Sequence, residues 1–319
     1  MKRILVTGAA GFIGSHLCEA LLARGDTVIG LDDFNDYYDP AVKRWNIAGP
    51  TASERFALHE GDIRDEDAVM RLFERERPDV VVHLAARAGV RPSIQDPNLY
   101  YTVNVIGGQH MLDACRRYPV SHLVFASSSS VYGGSTDVPF RETDPVARPI
   151  SPYAATKRMN ELQAHVYSHL YGLRVTMLRF FTVYGPRQRP DMAIHQFTRR
   201  ILEERPVPMF GDGESRRDYT YIEDIIDGLI RCVDTPFRYE IFNLGESRTT
   251  SLRELIALIE KHVGKPARID PQPLQPGDVP ITYADISHAR EFLGYNPRFD
   301  MDAGIARFVQ WYRDQQTRE

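Results

Sequence analysis

The start of the chain restricts the fold most. Arg3-Ile4-Leu5-Val6-Thr7 reads as a short buried strand, and Gly8-Ala9-Ala10-Gly11-Phe12-Ile13-Gly14 follows it directly. A helical pattern then runs through Arg24. Glycines at this spacing permit positive φ and let backbone N–H groups approach a pyrophosphate at a helix N-terminus. A second strand, Thr27-Val28-Ile29-Gly30-Leu31, ends at Asp32, about where a ribose-binding carboxylate is expected. That acid would accept hydrogen bonds from both adenosine ribose hydroxyls and repel a 2′-phosphate. The cofactor expected is therefore NAD rather than NADP, with Lys43 and Arg44 the side chains able to offset the repulsion.

Strand and helix patterns keep alternating as far as Pro186. Strands are predicted at 56–60, 80–86, 121–126 and 175–179, and helices at 66–77, 99–118 and 153–171. This alternation predicts an α/β, doubly wound parallel sheet of Rossmann type. Residues 33–52 read as a long polar, aromatic loop of the kind used for binding. Asp62 follows the third strand, within reach of an adenine amine. The fourth strand closes on small residues, Ala85 and Ala86, that leave room for a cofactor. Arg87 and Arg91 flank the following turn as candidate anion contacts. Asn104 falls inside a helix, where a buried amide needs a partner, either a neighbouring backbone group or Lys157. After Pro186 the segments are shorter and mixed, which predicts a smaller C-terminal lobe. The division is residues 1–186, binding the cofactor and carrying the catalytic groups, and 187–319, binding substrate, with some chain crossing between them.

Two polar clusters stand out, one where a parallel strand ends and one at the start of a helix. Ser127-Ser128-Ser129-Ser130 offers four hydroxyls, poor for packing and suited to a polar substrate. Ser151-Pro152-Tyr153-Ala154-Ala155-Thr156-Lys157 begins a helix with Ser151 as N-cap and Pro152 in the first turn. Tyr153 and Lys157 then share one helix face at i and i+4. An ammonium beside a phenol favours the phenolate and makes tyrosine a usable base near neutral pH.

Net charge is −4 with 43% hydrophobic and 26% charged residues, so neither nucleic acid nor an anionic membrane is indicated as partner. Cys18, Cys115 and Cys232 are far apart, giving neither a disulfide framework nor metal-ligand spacing, and a reducing cytoplasm is expected. Gly8, Gly11, Gly14, Ser15 and His16 break the apolar run that a signal peptide would need.

Together these stretches resemble the NAD-dependent epimerase/dehydratase family, the extended short-chain dehydrogenase/reductases. The likeness rests on the glycine turn, Gly61-Asp62-Ile63, His83-Leu84-Ala85-Ala86, Ser128 to Gly133, Tyr153 to Lys157, and Arg217-Asp218-Tyr219 before Tyr221-Ile222-Glu223-Asp224. Asn35 to Pro40, Ala88-Gly89-Val90-Arg91, Arg179 to Pro186, Arg189-Pro190-Asp191-Met192 and Gln275-Pro276-Gly277-Asp278-Val279 are most similar to members that epimerise UDP-glucuronate at C4.

The resemblance implies Tyr153 as base, Lys157 as its electrostatic partner and nicotinamide-ribose contact, and Ser128 as the third catalytic group. It implies cofactor contacts from Gly8, Gly11, Phe12, Ile13, Gly14, Asp32, Asp33, Asn35, Lys43, Asp62, Ile63, Leu84, Ala85, Ala86, Asn104, Tyr153, Lys157 and Phe180. For substrate it implies Arg91, Ser128, Ser129, Ser130, Tyr153, Thr182, Arg189, Phe210, Arg217, Asn243, Gln275 and Asp278. Arg217 would neutralise the UDP diphosphate; Ser129, Ser130, Thr182 and Arg189 would restrain the sugar carboxylate, and no metal is implied. Family dehydratases follow the catalytic Thr with Asp-Glu where Ser129-Ser130 stand here, and decarboxylases commonly place Glu at Ser130. The expected reaction is thus NAD-dependent conversion of UDP-glucuronate to UDP-galacturonate by a homodimer. The alternatives are UDP-glucuronate decarboxylation, epimerisation of neutral UDP-hexoses, and a non-catalytic NAD-binding sensor or scaffold.

Overall fold

The computed structural model describes residues 1–274 and 277–316. Seven strands form one fully parallel sheet. They are β1 (Arg3–Thr7), β2 (Thr27–Asp32), β3 (Phe56–Glu60), β4 (Val80–His83), β5 (His122–Ser128), β6 (Val175–Phe180) and the strand Tyr239–Leu244. The spatial order is β3-β2-β1-β4-β5-β6 and then Tyr239–Leu244. Period-two alternation sends successive side chains to opposite faces. Ile4, Val6, Val28, Val82, Val124 and Leu178 therefore enter one buried cluster, while Leu5, Ile29, Val81, Leu123, Phe125 and Met177 enter the other. Both faces are covered, as an all-parallel sheet requires. The chain reverses its winding between β1 and β4, and the carboxyl ends of the strands there open a crevice.

Several boundaries differ from the sequence reading, each for a local reason. The expected loop 33–52 contains the helix Pro40–Thr51, started by Pro40 in the first turn and an Asp39 side chain accepting from the Ala41 N–H. The fourth strand ends at His83 rather than residue 86. Its neighbour β1 ends at Thr7, and the Thr7 hydroxyl takes up the Ala85 N–H instead. The helix expected over 99–118 is Pro97–Tyr100, a π-helical segment Tyr101–Ile106, then Gly107–Arg117. Around Asp218 the chain forms two short strands, Arg216–Arg217 and Tyr219–Tyr221. The buried Asp218 carboxylate accepts N–H groups from Glu246, Ser247 and Ala284 and breaks the extended run. Tyr239–Leu244, although it follows Pro186, returns to the sheet beside β6.

Beyond Pro186, Val207–Phe210 pairs with Ile269–Gln272. Tyr219–Tyr221 pairs with Thr182–Tyr184, tying this lobe to the chain just past β6. The helices Ala193–Leu202, Leu252–Val263 and Met301–Gln316 contribute Ile194, Ile259 and Phe308 to the same buried cluster as the sheet.

One buried ion pair joins the elements that matter most. Glu161, on the helix Pro152–Tyr171, and Arg179, on β6, are 0% and 1% exposed. Arg179 Nε meets Glu161 Oε1 at 2.8 Å and Nη2 meets Oε2 at 2.9 Å. Ser127 Oγ donates to Oε1 at 2.7 Å and Arg158 Nη1 to Oε2 at 2.9 Å. Arg179 Nη1 also donates to the Tyr132 hydroxyl, which donates on to Asn243 Oδ1. Burial pushes the Glu161 carboxyl up, but Arg179 outweighs it and holds the group below its usual range. Removing one partner leaves a charge stranded in a dry interior. Glu161→Ala should lower the unfolding free energy by about 3–5 kcal/mol in urea titrations, and an unchanged midpoint would show that the pair is dispensable.

Candidate active site

The crevice is a cleft of about 870 Å³ running from the glycine turn past the ends of β4 and β5 to the C-terminal lobe. At its cofactor end the backbone itself makes the shape. Gly8 has φ +68°, and a Cβ there would lie 2.9 Å from the Ala85 nitrogen. A Cβ on Gly14 would lie 2.0 Å from the Gly8 carbonyl oxygen. Only glycine fits either position, and the turn feeds straight into α1 (Phe12–Arg24). Asp32 is buried and accepts from the Ala10 and Phe34 N–H groups, each at 2.9 Å. Two of its four lone-pair directions stay open for a ribose diol. Lys43 donates to the Asn35 carbonyl and sits in the field of Asp32 and Asp33, while Arg44 turns away to Glu60. A 2′-phosphate would meet two carboxylates against one lysine. These residues fit a dinucleotide with a free ribose diol.

Ser128 ends β5 and Tyr153 opens the helix Pro152–Tyr171 through the predicted cap: Ser151 Oγ accepts the Ala154 N–H at 3.1 Å. Ser128 and Tyr153 line the same cleft. The Lys157 Nζ donates to the Ala126 carbonyl at 2.8 Å. Sharing a helix face fixes Cβ directions, but the long lysine side chain reaches across to the end of β5. Burial lifts the Tyr153 phenol above its usual value, and the groups opposing that are the Ser128 hydroxyl and the Arg189 charge. Burial also brings the Lys157 ammonium down to about 8.

The remaining candidates divide. Phe12, Ile13, Ile63, Leu84, Ala85, Ala86, Phe180, Ser129, Ser130, Thr182, Arg189, Phe210, Arg217, Arg91 and Asp278 all line the cleft. The Ser130 hydroxyl is buried with no hydrogen-bond partner among the described residues. Arg91 stands over the Phe210 ring and donates to both Asp278 oxygens at 2.9 and 3.0 Å. Arg217 donates to the Arg216 carbonyl, and burial lowers its pKa. Three residues lie elsewhere. Asn104 Nδ2 donates to the Arg87 carbonyl and Thr156 Oγ1, and its Oδ1 accepts the Arg87 N–H, so it braces the turn after β4 against the Tyr153 helix. Asn243 is completely buried, engaged by Tyr132, Phe140 and Asp285. Asp62 turns its carboxylate to Arg64 on a shallow outer recess. Gln275 lies outside the described residues.

The sequence reading gave no role to Tyr37, Gln188 or Asp191, which also line the cleft. Tyr37 and Asp191 lie within stretches noted for their resemblance, yet spacing alone does not reveal that residues 154 positions apart meet.

A parallel α/β sheet with a glycine cradle and a half-buried tyrosine at its switch point defines a dinucleotide-dependent enzyme class. The family model for the NAD dependent epimerase/dehydratase family matches residues 4–245, and the chain belongs to that family. It is 42% identical to the UDP-glucuronate 4-epimerase of Thermodesulfobacterium geofontis, over 98% of this chain and 97% of that one. Among solved structures, it is similar to the UDP-glucuronic acid 4-epimerase of Bacillus cereus in complex with UDP-glucuronic acid and NAD. That likeness has a TM-score of 0.93 and 38% identity, covering 98% of this chain and 99% of that one. The UDP-glucose 4-epimerase of Thermotoga maritima, with UDP-glucose, matches at TM-score 0.91 and 33% identity, with 98% and 99% covered.

The glycine cradle gives a direct test. Gly14→Ala should weaken NAD binding by about 100-fold in calorimetric titration, equivalent to ~2.7 kcal/mol. Unchanged affinity would show that the turn does not receive the pyrophosphate.

Proposed function

We propose that the protein interconverts UDP-glucuronate and UDP-galacturonate by NAD-dependent epimerisation at C4. The observation that carries this reading is the half-buried Tyr153 phenol in one cleft with Ser128, Arg189, the glycine cradle and Asp32. When bound, NAD supplies a reversible two-electron acceptor for the hydrogen on C4.

The chain's own groups do the rest. Tyr153 takes the proton of the 4-hydroxyl and returns it after the sugar has turned over. Ser128 orients the phenol and the reacting oxygen. Lys157 would hold the nicotinamide ribose of the cofactor and supply positive charge there. Arg217 anchors the diphosphate while the sugar rotates. A 4-keto glucuronate is a β-keto acid and loses CO₂ readily, so its carboxylate has to be restrained. Ser129, Thr182 and the unpartnered Ser130 hydroxyl supply neutral donors for it, and Arg189 a charged one.

We further propose residues 1–186 as the cofactor-binding region and 187–319 as the region that holds the nucleotide sugar, interlaced by Tyr239–Leu244. A second copy of the chain is the partner proposed for the Tyr153 helix. Met159, Leu162, Val166 and Leu170 form an exposed apolar stripe along it at helical spacing. Three buried, free cysteines suit a reducing cytoplasm. Among the described residues no helix is long and apolar enough to cross a membrane.

Proton NMR of UDP-glucuronate with enzyme and no added reductant should show UDP-galacturonate and no pentose product. Appearance of UDP-xylose would overturn the reading. Tyr153→Phe should reduce kcat by about 10²- to 10⁴-fold with the fold intact, and undiminished turnover would remove Tyr153 from the chemistry.

A further inference from the structure

Arg189 is not a free cation waiting in the cleft. Its Nε donates to Asp191 Oδ1 at 2.9 Å and its Nη2 to Oδ2 at 2.8 Å, a two-point pair that uses one whole edge of the guanidinium. Pro190 between them fixes the short turn that makes this chelate possible, and the Met192 N–H closes it on the Arg189 carbonyl. The guanidinium lies 5.2 Å from the centre of the Tyr37 ring, which Arg87 approaches from 5.3 Å. The Tyr37 hydroxyl donates to Asp191 Oδ2 at 3.4 Å. Asp191 is 41% exposed and Arg189 20%, so the carboxylate is the half of the pair nearer solvent.

We infer that Asp191 is a specificity-determining residue: an internal carboxylate that occupies the Arg189 guanidinium edge until the carboxylate of an acid sugar replaces it. The inference rests on the proposed action on UDP-glucuronate. Binding an acid sugar is then an exchange of one carboxylate for another. Binding a neutral sugar leaves the Arg189–Asp191 pair closed, with no cation stranded in the site. The pair therefore weakens the advantage that Arg189 alone would give an acid sugar and lets the cleft tolerate a hydroxymethyl group. Removing the internal carboxylate should sharpen discrimination in favour of the acid.

The test is calorimetric titration of the NAD-loaded enzyme with UDP-glucuronate and with UDP-glucose, comparing wild type, Asp191→Asn and Asp191→Glu. Asp191→Asn should tighten UDP-glucuronate by about fivefold, the upper range of a partly exposed ion pair, and leave UDP-glucose unchanged or weaker. In steady-state assays the gain should appear in KM with kcat little altered. Asp191→Glu keeps the competing charge and should bind both ligands as wild type does. Asp191→Ala repeats the test without an amide able to rebond Arg189, and thermal melts confirm that each variant is folded. Weaker or unchanged UDP-glucuronate binding in both neutral variants, or equal shifts for the two ligands, would overturn the inference. Wild-type enzyme that binds UDP-glucuronate without converting it would strike the proposed reaction instead, in an arm that does not involve Asp191.

Discussion

A fully desolvated carboxylate and guanidinium, Glu161 and Arg179, hold the functional end of this molecule in one arrangement. Neither charge has water to fall back on, so each depends on the other and on the groups around it. Those groups come from the elements at the serine end of the cleft. Ser127 is the residue before Ser128 on β5, Glu161 lies two turns beyond Tyr153 on its helix, and Tyr132 belongs to the short turn after the serines. Asn243 brings in the edge strand, and its N–H reaches Glu142 in the loop between them. An apolar cluster of equal volume would give comparable stability. It would not fix the serine end of β5 against the first turn of the helix, because apolar contacts are not directional.

Charge in the cleft is arranged on the same principle, with the difference that the surface pairs can open. Arg189 is closed on Asp191 and Arg91 on Asp278. Lys157 is closed on a backbone carbonyl, in surroundings that disfavour its charged form. Anionic parts of a nucleotide sugar thus enter a site where most positive charge is already balanced. Arg217 is the exception: among the described residues it has only a neighbouring carbonyl for its Nη1, and Asp278 lies close enough to pull on its charge. The cleft consequently holds its cations in place without collapsing on itself.

Much of this was readable in the residues. Local rules that act over four or seven positions worked well: the glycine turn, the Ser151 cap with Pro152, and the alternation that splits the sheet's side chains between two cores. The rules failed where a contact distant in sequence decides the outcome. Helical spacing places Lys157 and Tyr153 on one face but does not say that Ala126 captures the ammonium. A mid-helix asparagine signals a partner, yet only the fold shows that Asn104 grips both the N–H and the carbonyl of Arg87. Asp218 is invisible as a strand breaker until the three N–H groups that converge on it are seen together.

The edge strand Tyr239–Leu244 has a consequence for how the chain assembles. Its partner β6 ends before residue 187, while the strand itself arrives more than fifty residues later, after the Val207–Phe210 strand and two helices have been made. The two lobes are therefore not beads on a string but are sewn together. A fragment stopping at Pro186 would leave the unpaired side of β6 open to any other extended chain, an invitation to aggregate. Transplanting the nucleotide-sugar lobe onto another glycine-turn scaffold would have to carry that strand along.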